Sequence, residues 1–297
     1  TAVGDTAESD IRAKMAHLFA DRLNDVPGAV DTWKRVLELR GEDPEALGAL
    51  ANLYERLEQW AELCDVLERH YYIATEDESR VAVLLRRAKL YTERLGRDDS
   101  ALEDYQRVLD VEYGNVEALY AISEIWRRRN DANELVQSLH QTIDRAQTVL
   151  PAENQIAIFR ELGTIYQSTL SQASDAIDAW RRLLAVDPRD FEAMAALENL
   201  LRAEERWEEV IDVKMGRAAA YEDGAEQIRE YLEVAAIWET QVGQKDRATQ
   251  AYEKILEIDP THDKAFFSLE ELHTAAGRSE PLIELYLNRH ETREDDK

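Results

Sequence analysis

Apolar residues recur along this chain at every third or fourth position, the spacing that gives a helix one buried face. The valine- and threonine-rich runs expected of strands are missing. One stretch sets the register: Ala29-x3-Trp33-x2-Val36-Leu37. It returns as Ala101-x3-Tyr105-x2-Val108-Leu109, as Ala176-x3-Trp180-x2-Leu183-Leu184 and as Ala248-x3-Tyr252-x2-Ile255-Leu256, in steps of 72, 75 and 72 residues. Seventeen residues after each of these alanines stands another: Ala46, Ala118, Ala193 and Ala265. A step of 72 is too long for one helix pair and fits two. The repeating unit is therefore two unlike hairpins in alternation.

The first hairpin type begins with a helix that carries a small residue three before an aromatic: Ala16 and Phe19, Ala88 and Tyr91, Gly163 and Tyr166, Ala235 and Trp238. A small side chain lets a partner helix approach, and an aromatic one turn on fills the gap that the approach leaves. The second type begins at the downstream alanine, as in Ala46-Leu47-x2-Leu50-x2-Leu53-Tyr54. Boundaries carry chemical markers. Asp43-Pro44, Asp187-Pro188 and Asp259-Pro260 place a carboxylate beside a residue that cannot donate a helical hydrogen bond. Thr75-x-x-Glu78 and Asp131-x-x-Glu134 read as capping boxes, and Gly96, Gly243 and Gly277 as left-handed helix stops. The pattern predicts sixteen helices in eight hairpins over approximately 8–40, 43–75, 77–112, 115–149, 152–187, 190–223, 225–258 and 262–292. Pro151 and the longer step place a slightly longer junction near 149–154, within a single array over 1–297.

The order Phe159-x2-Leu162-Gly163-x2-Tyr166, then Ala176-x3-Trp180, then Pro188 resembles the tetratricopeptide repeat. The likeness extends over essentially the whole chain and is closer for the first hairpin type. It implies an all-α fold, a right-handed α-solenoid or superhelix of antiparallel helix hairpins, serving as a protein–protein interaction scaffold. In the second type Glu198 and Glu270 occupy the slot where the family has a small residue, and Leu63, Leu135, Val210 and Leu282 replace an alanine. Those hairpins are expected to pack more openly. The half-a-TPR repeats of RNA-processing proteins show similar Tyr/Trp-x-x-Leu helices.

Charge narrows the choice of partner. The formal net charge is −26, which opposes nucleic acid and anionic membrane surfaces as ligands. It is uneven: residues 80–130 hold ten basic and nine acidic side chains, so a near-neutral sector lies between strongly acidic flanks. No run of 18 apolar residues occurs, and no basic-then-apolar leader opens the chain, so a cytoplasmic location is expected. The chain starts at Thr1 rather than Met, as a piece of a longer protein would. Cys64 is the single cysteine and reads as a buried, inert thiol.

Chemistry-bearing motifs are lacking. The six histidines form no i, i+4 pair and none joins Cys64 at metal spacing, so each reads as a surface or interface residue. No Gly-rich phosphate loop and no G-x-S-x-G elbow occurs. The pairs Asp98-Asp99 and Asp295-Asp296 fall in a turn and in the tail, and the six tryptophans follow the helix repeat as core residues. No catalytic residue, metal or cofactor is expected.

A solenoid nonetheless has a concave face, lined by the first helix of each hairpin. The register places Leu85, Lys89 and Thr92 there, then Tyr120, Glu124, Arg127 and Arg128, then Arg160, Thr164 and Gln167, then Asn199 and Arg202. Arginine pairs with carboxylates in two-pronged fashion and tyrosine offers flat contact area, so this groove is expected to hold an acidic or C-terminal segment of a partner protein. The competing reading pairs these arginines with acids on neighbouring turns, such as Arg128 with Glu124. Some family members clamp a terminal carboxylate with Lys and Asn at fixed groove positions. Here those positions read His17, Asn52, Lys89, Glu124, Thr164, Asn199, Ala236 and Glu271, which is not that combination. The alternatives to a scaffold are a spacer within a longer repeat array and the non-catalytic part of a larger enzyme.

Overall fold

The computed structural model describes the backbone of residues 2–295 and the side chains of residues 6–291. The Asp295-Asp296 pair and the charged tail from Thr292 onward lie outside the described side chains. Among the described residues there are sixteen α-helices and no strand. Contacts divide the chain into two compact units, residues 1–149 and 150–297. The first holds α1 (Ala2–Asp21), α2 (Val26–Arg40), α3 (Pro44–Arg56), α4 (Trp60–Ile73), α5 (Asp77–Leu90), α6 (Asp98–Val111), α7 (Val116–Arg129) and α8 (Ala132–Ala146). The second holds α9 (Ala152–Ile165), α10 (Ala173–Val186), α11 (Phe191–Ala203), α12 (Trp207–Ala220), α13 (Gly224–Ile237), α14 (Lys245–Ile258), α15 (Asp263–Ala275) and α16 (Ser279–Asp295). Within each unit every helix packs chiefly on its neighbours in sequence.

The repeat is kept residue by residue. Ala29, Ala101, Ala176 and Ala248 are each the fourth residue of α2, α6, α10 and α14, and all are fully buried. Ala46, Ala118, Ala193 and Ala265 are fully buried at the start of the next helix. In the first unit one apolar cluster runs through α1 to α5, from Ala13 and Ala16 through Trp33, Leu47 and Leu67 to Val83 and Leu90. Each large side chain taken out of water there contributes about 1.5–3 kcal/mol.

The turns are periodic too. One residue with positive φ closes each leading helix: Asn24, Gly96, Ser171 and Gly243 in the first hairpin type, Glu58, Asn130, Glu205 and Gly277 in the second. Only the glycines among these were visible as stops, since the other five pay a steric cost to enter the left-handed region. Three leading helices, α5, α9 and α13, widen into a final π-type turn. There the carbonyl of Tyr91, Tyr166 or Trp238 accepts from the N–H five residues on, and from Arg97, Gln172 or Gln244 at 2.8, 2.9 and 2.8 Å.

Several boundaries differ from those the sequence suggests. Asp43 caps α3, accepting from Ala46 N at 2.9 Å, with Pro44 in the first turn. Asp187 and Asp259 instead sit at the C-terminal ends of α10 and α14. The caps that follow are Asp190, which accepts from Ala193 N at 2.8 Å, and His262, whose Nδ1 accepts from Ala265 N at 3.2 Å. With Asn115 accepting from Ala118 N at 2.9 Å, the capping position lies three residues before the buried alanine in all four copies. Proline position is a weaker guide than this register because proline also fits the turn itself. Thr75 caps nothing: α5 starts at Asp77 after Glu76, whose side chain makes no cap bond. Asp131 does cap α8, accepting from Glu134 N at 3.2 Å.

Two helices approach closely at Gly163. A Cβ there would lie 2.6 Å from Cε2 of Trp180, and 3.0 Å is already closer than real contacts come. Gly163→Ala should therefore destabilise the second unit by about 1–3 kcal/mol through overpacking. By register, Ala88/Tyr105 and Ala235/Tyr252 set alanine against the smaller tyrosine ring, while Ala16/Trp33 sets it against tryptophan. Adding Trp180→Tyr to Gly163→Ala should recover part of the loss, as read from urea melts of the two variants.

Candidate partner-binding surface

The residues singled out by sequence lie on leading helices in both units. In the first unit Lys89 is exposed on α5 and pairs with Glu117 of α7 at 2.5 Å. Leu85 and Tyr120 are half-buried, so each offers only an edge to solvent. Arg127 pairs with Glu124 one turn back along α7. Arg128 does not take Glu124, as the competing reading had it. It reaches Asp98 at the start of α6 at 2.7 Å. Arg129 beside it meets Asp99 at 2.7 Å and lies over the Trp126 ring at 5.2 Å. The carboxylates at the α6 N-terminus thus gather two of the three consecutive arginines.

In the second unit Arg160 on α9 pairs with Asp190, the cap of α11, and with Glu192 at 3.5 Å. Thr164 and Gln167 are exposed further along the leading segment, and the Thr164 hydroxyl donates to the Arg160 carbonyl at 2.8 Å. On α11 Asn199 is exposed, while Arg202 donates to Glu198 at 2.8 Å and lies within 3.4 Å of Glu233. Each candidate arginine therefore already holds a carboxylate. These are mostly exposed pairs, worth about 0–1 kcal/mol each.

Two further groups of charges lie in the core, and periodicity gave no sign of them. In the first unit the Arg87 guanidinium is buried and grips buried Asp104 twice, Nε to Oδ2 at 2.6 Å and Nη2 to Oδ1 at 2.5 Å. Glu68 of α4 also contacts Arg87, so the group ties α4, α5 and α6 together. In the second unit Lys214 of α12 is buried among Glu198 at 3.1 Å, Glu230 at 3.2 Å and Glu233 at 2.6 Å. Arg217 closes the group with two bonds of 2.9 Å to Glu230 and one to Glu198. The slot expected to loosen the hairpin at Glu198 is instead sealed by charge pairing. At the matching slot 72 residues on, half-buried Glu270 accepts from the Tyr286 hydroxyl, and Tyr286 matches Lys214 in register.

Other expectations fare unevenly. Cys64 is buried, and burial pushes its thiol up to about 11, which makes it a poor nucleophile. Trp33 and Trp180 are core residues, but Trp60, Trp126, Trp207 and Trp238 are half-buried under Arg94, Arg129, Arg202 and Arg247. The arginine side chains lie over these rings where they would otherwise meet solvent. His273 is not a surface residue. It is buried, its Nδ1 has no hydrogen-bond partner, and it lines a cavity of 620 Å³ among α14, α15 and α16. Among the described residues no three His, Cys, Asp or Glu side chains converge as metal ligands would, and no helix is long and apolar enough to cross a membrane.

Family profiles described as tetratricopeptide repeat match residues 46–81, 82–111 and 240–262. These segments are tetratricopeptide repeats. The matched segments fall in both units, and the unmatched hairpins share their register. Comparison with curated proteins finds no match. Among solved structures, the chain is similar to the C-terminal part of a TPR repeat-containing protein from Cytophaga hutchinsonii, at 19% identity over 86% of this chain and 98% of that one, with a TM-score of 0.39. A tetratricopeptide repeat protein from Parabacteroides merdae is 16% identical over 89% and 98%, with a TM-score of 0.38. YrrB, described as a TPR protein with an unusual peptide-binding site, is 16% identical over 69% and 100%, with a TM-score of 0.37. Tetratricopeptide repeats are in general protein-interaction scaffolds and in general non-catalytic.

The buried charges make acid stability a direct readout. Burial alone would push Glu198 up, but hydrogen bonds from Arg202, Arg217 and Lys214 outweigh it and hold the carboxyl below its ordinary 4.5. A carboxyl lowered on folding stabilises the fold above its unfolded pKa, and that stabilisation is lost as pH falls through the folded value. The wild-type melting temperature should therefore drop steeply as pH is taken down from 4.5. Glu198→Gln should start lower at neutral pH and fall less over the same range, as followed by circular dichroism.

Proposed function

We propose that this chain is a protein-interaction scaffold whose leading helices hold an acidic or C-terminally carboxylated segment of a partner protein. A periodic exposure carries the reading. In the first unit residues 17, 52, 89 and 124 are exposed on α1, α3, α5 and α7, each directly after a buried small residue: Ala16, Ala51, Ala88 and Ser123. In the second unit residues 164, 199, 236 and 271 repeat the exposure on α9, α11, α13 and α15. A side chain one step from the contact between helices points along the inner wall of a repeat stack, where ligands of such arrays bind. The proposed contact residues are Leu85, Lys89, Tyr120, Glu124, Arg127 and Arg128 in the first unit, with Arg160, Gln167, Asn199 and Arg202 in the second.

The ion pairs on this face fit the proposal. Glu117, Glu124 and Asp98 hold Lys89, Arg127 and Arg128 in place, and a ligand carboxylate can take over from an exposed intramolecular one at little cost. The overall charge of −26 meanwhile sets the chain against polyanions such as nucleic acid and anionic membranes, which offer many charges and few shaped contacts.

The test is a screen of acidic peptides, with free and amidated C-termini, by fluorescence anisotropy. Binders to wild type should lose about tenfold or more in affinity with Arg127→Ala/Arg128→Ala, the scale of a lost charged contact. The melting temperature should barely move, because both side chains are exposed. Unchanged affinity in the double variant would remove this face from consideration.

A further inference from the structure

Two helix faces carry exposed apolar residues most of whose counterparts elsewhere in the chain are buried. On α1, Ile11, Met15 and Leu18 are 59%, 41% and 55% exposed and line one stripe. Their register equivalents, 72 residues on in α5, are Val83, Arg87 and Leu90, all buried. In α13 they are Glu230, Val234 and Ile237, also buried. On α16, Ile283, Tyr286 and Leu287 are 60%, 47% and 59% exposed. Ile283 and Tyr286 match Cys64 and Leu67 of α4, and Ile211 and Lys214 of α12, all four buried. Leu287 matches half-buried Glu68 and exposed Met215, at the rim of each joint.

Those counterparts meet each other inside the chain. At the joint of α4 with α5, Glu68 contacts Arg87, and Leu67 and Val83 belong to one apolar cluster. At the joint of α12 with α13, Lys214 bonds Glu230 at 3.2 Å, and Met215 and Val234 line one cavity. Each joint is matched in polarity, charge to charge and apolar to apolar. Carried to the two exposed faces, the same register sets Tyr286 against Ile11 and Leu287 against Met15, apolar to apolar in both cases.

We propose that the α16 face of one copy of this chain receives the α1 face of a second copy, in the arrangement by which α4 receives α5 and α12 receives α13. The occupant is a second copy because the matching halves of one joint both belong to this sequence. Either internal joint would instead leave Arg87 or Lys214 facing an apolar residue. Such an interface is head-to-tail, so each added copy presents a fresh face and association grows with concentration.

The test is sedimentation velocity of the whole chain over a wide concentration range. Ile11→Glu/Met15→Glu blocks one face and Ile283→Glu/Leu287→Glu the other. All four positions are exposed, so circular dichroism should match wild type, and Ile11→Ser/Met15→Gln or Ile283→Ser/Leu287→Gln replaces a pair that fails this check. Wild type should gain mass as it is concentrated, and each variant alone should stay monomeric. An equal mixture of the two variants should form dimers and nothing larger, because one intact joint remains. A wild type that stays monomeric throughout, or a blocked variant that assembles as wild type does, would overturn the proposal.

Discussion

The close approach of two helices over a small residue is the constraint on which each repeat depends. Ala16, Ala88, Gly163 and Ala235 are buried on leading helices, and seventeen residues later Trp33, Tyr105, Trp180 and Tyr252 are buried on the helices that return. The aromatic ring fills a space that exists only because the facing residue has little or no side chain. Crowding fixes that pairing more sharply than hydrophobicity does, since a leucine in the small position would bury as well and hold the helices apart. Once each pair is set, the capped start three residues before the next alanine and the left-handed stop after each leading helix have little freedom left.

This explains why the fold was legible and its details less so. Helix existence followed from apolar spacing that recurs four times, and the family profiles agree with it. Ends were harder. Asp187-Pro188 and Asp259-Pro260 resemble Asp43-Pro44 as text, yet the register shows that the cap belongs three residues before the buried alanine, at Asp190 and His262. Histidine as a cap is seldom anticipated, but its ring nitrogen accepts a backbone N–H as an aspartate does. Glu58, Ser171 and Glu205 take the left-handed turn position without being glycine, so composition hid them while periodicity would have found them.

The candidate surface was legible in position but not in pairing. Register alone set Lys89 and Glu124 in the first unit, and Thr164 and Asn199 in the second, at exposed positions of their helices. Which acid each arginine holds depends on interhelix distance. Arg128 passes over Glu124 on its own helix for Asp98 in the first turn of α6. The same limit applies to the core. A buried lysine such as Lys214 reads as a surface residue in sequence, because its partners Glu198, Glu230 and Glu233 come from helices before and after it.

That buried group bears on how freely such arrays can be rearranged. Repeats are commonly treated as interchangeable beads, yet the hairpin containing Lys214 can be followed only by a helix that brings carboxylates to the places of Glu230 and Glu233. Set before α5, whose matching residue is Val83, it would leave two buried cations, Lys214 and Arg217, to share Glu198 alone. The charges thus act as an address label, fixing which hairpin follows which. A shuffled or consensus version of this chain would lose that order before it lost its helices.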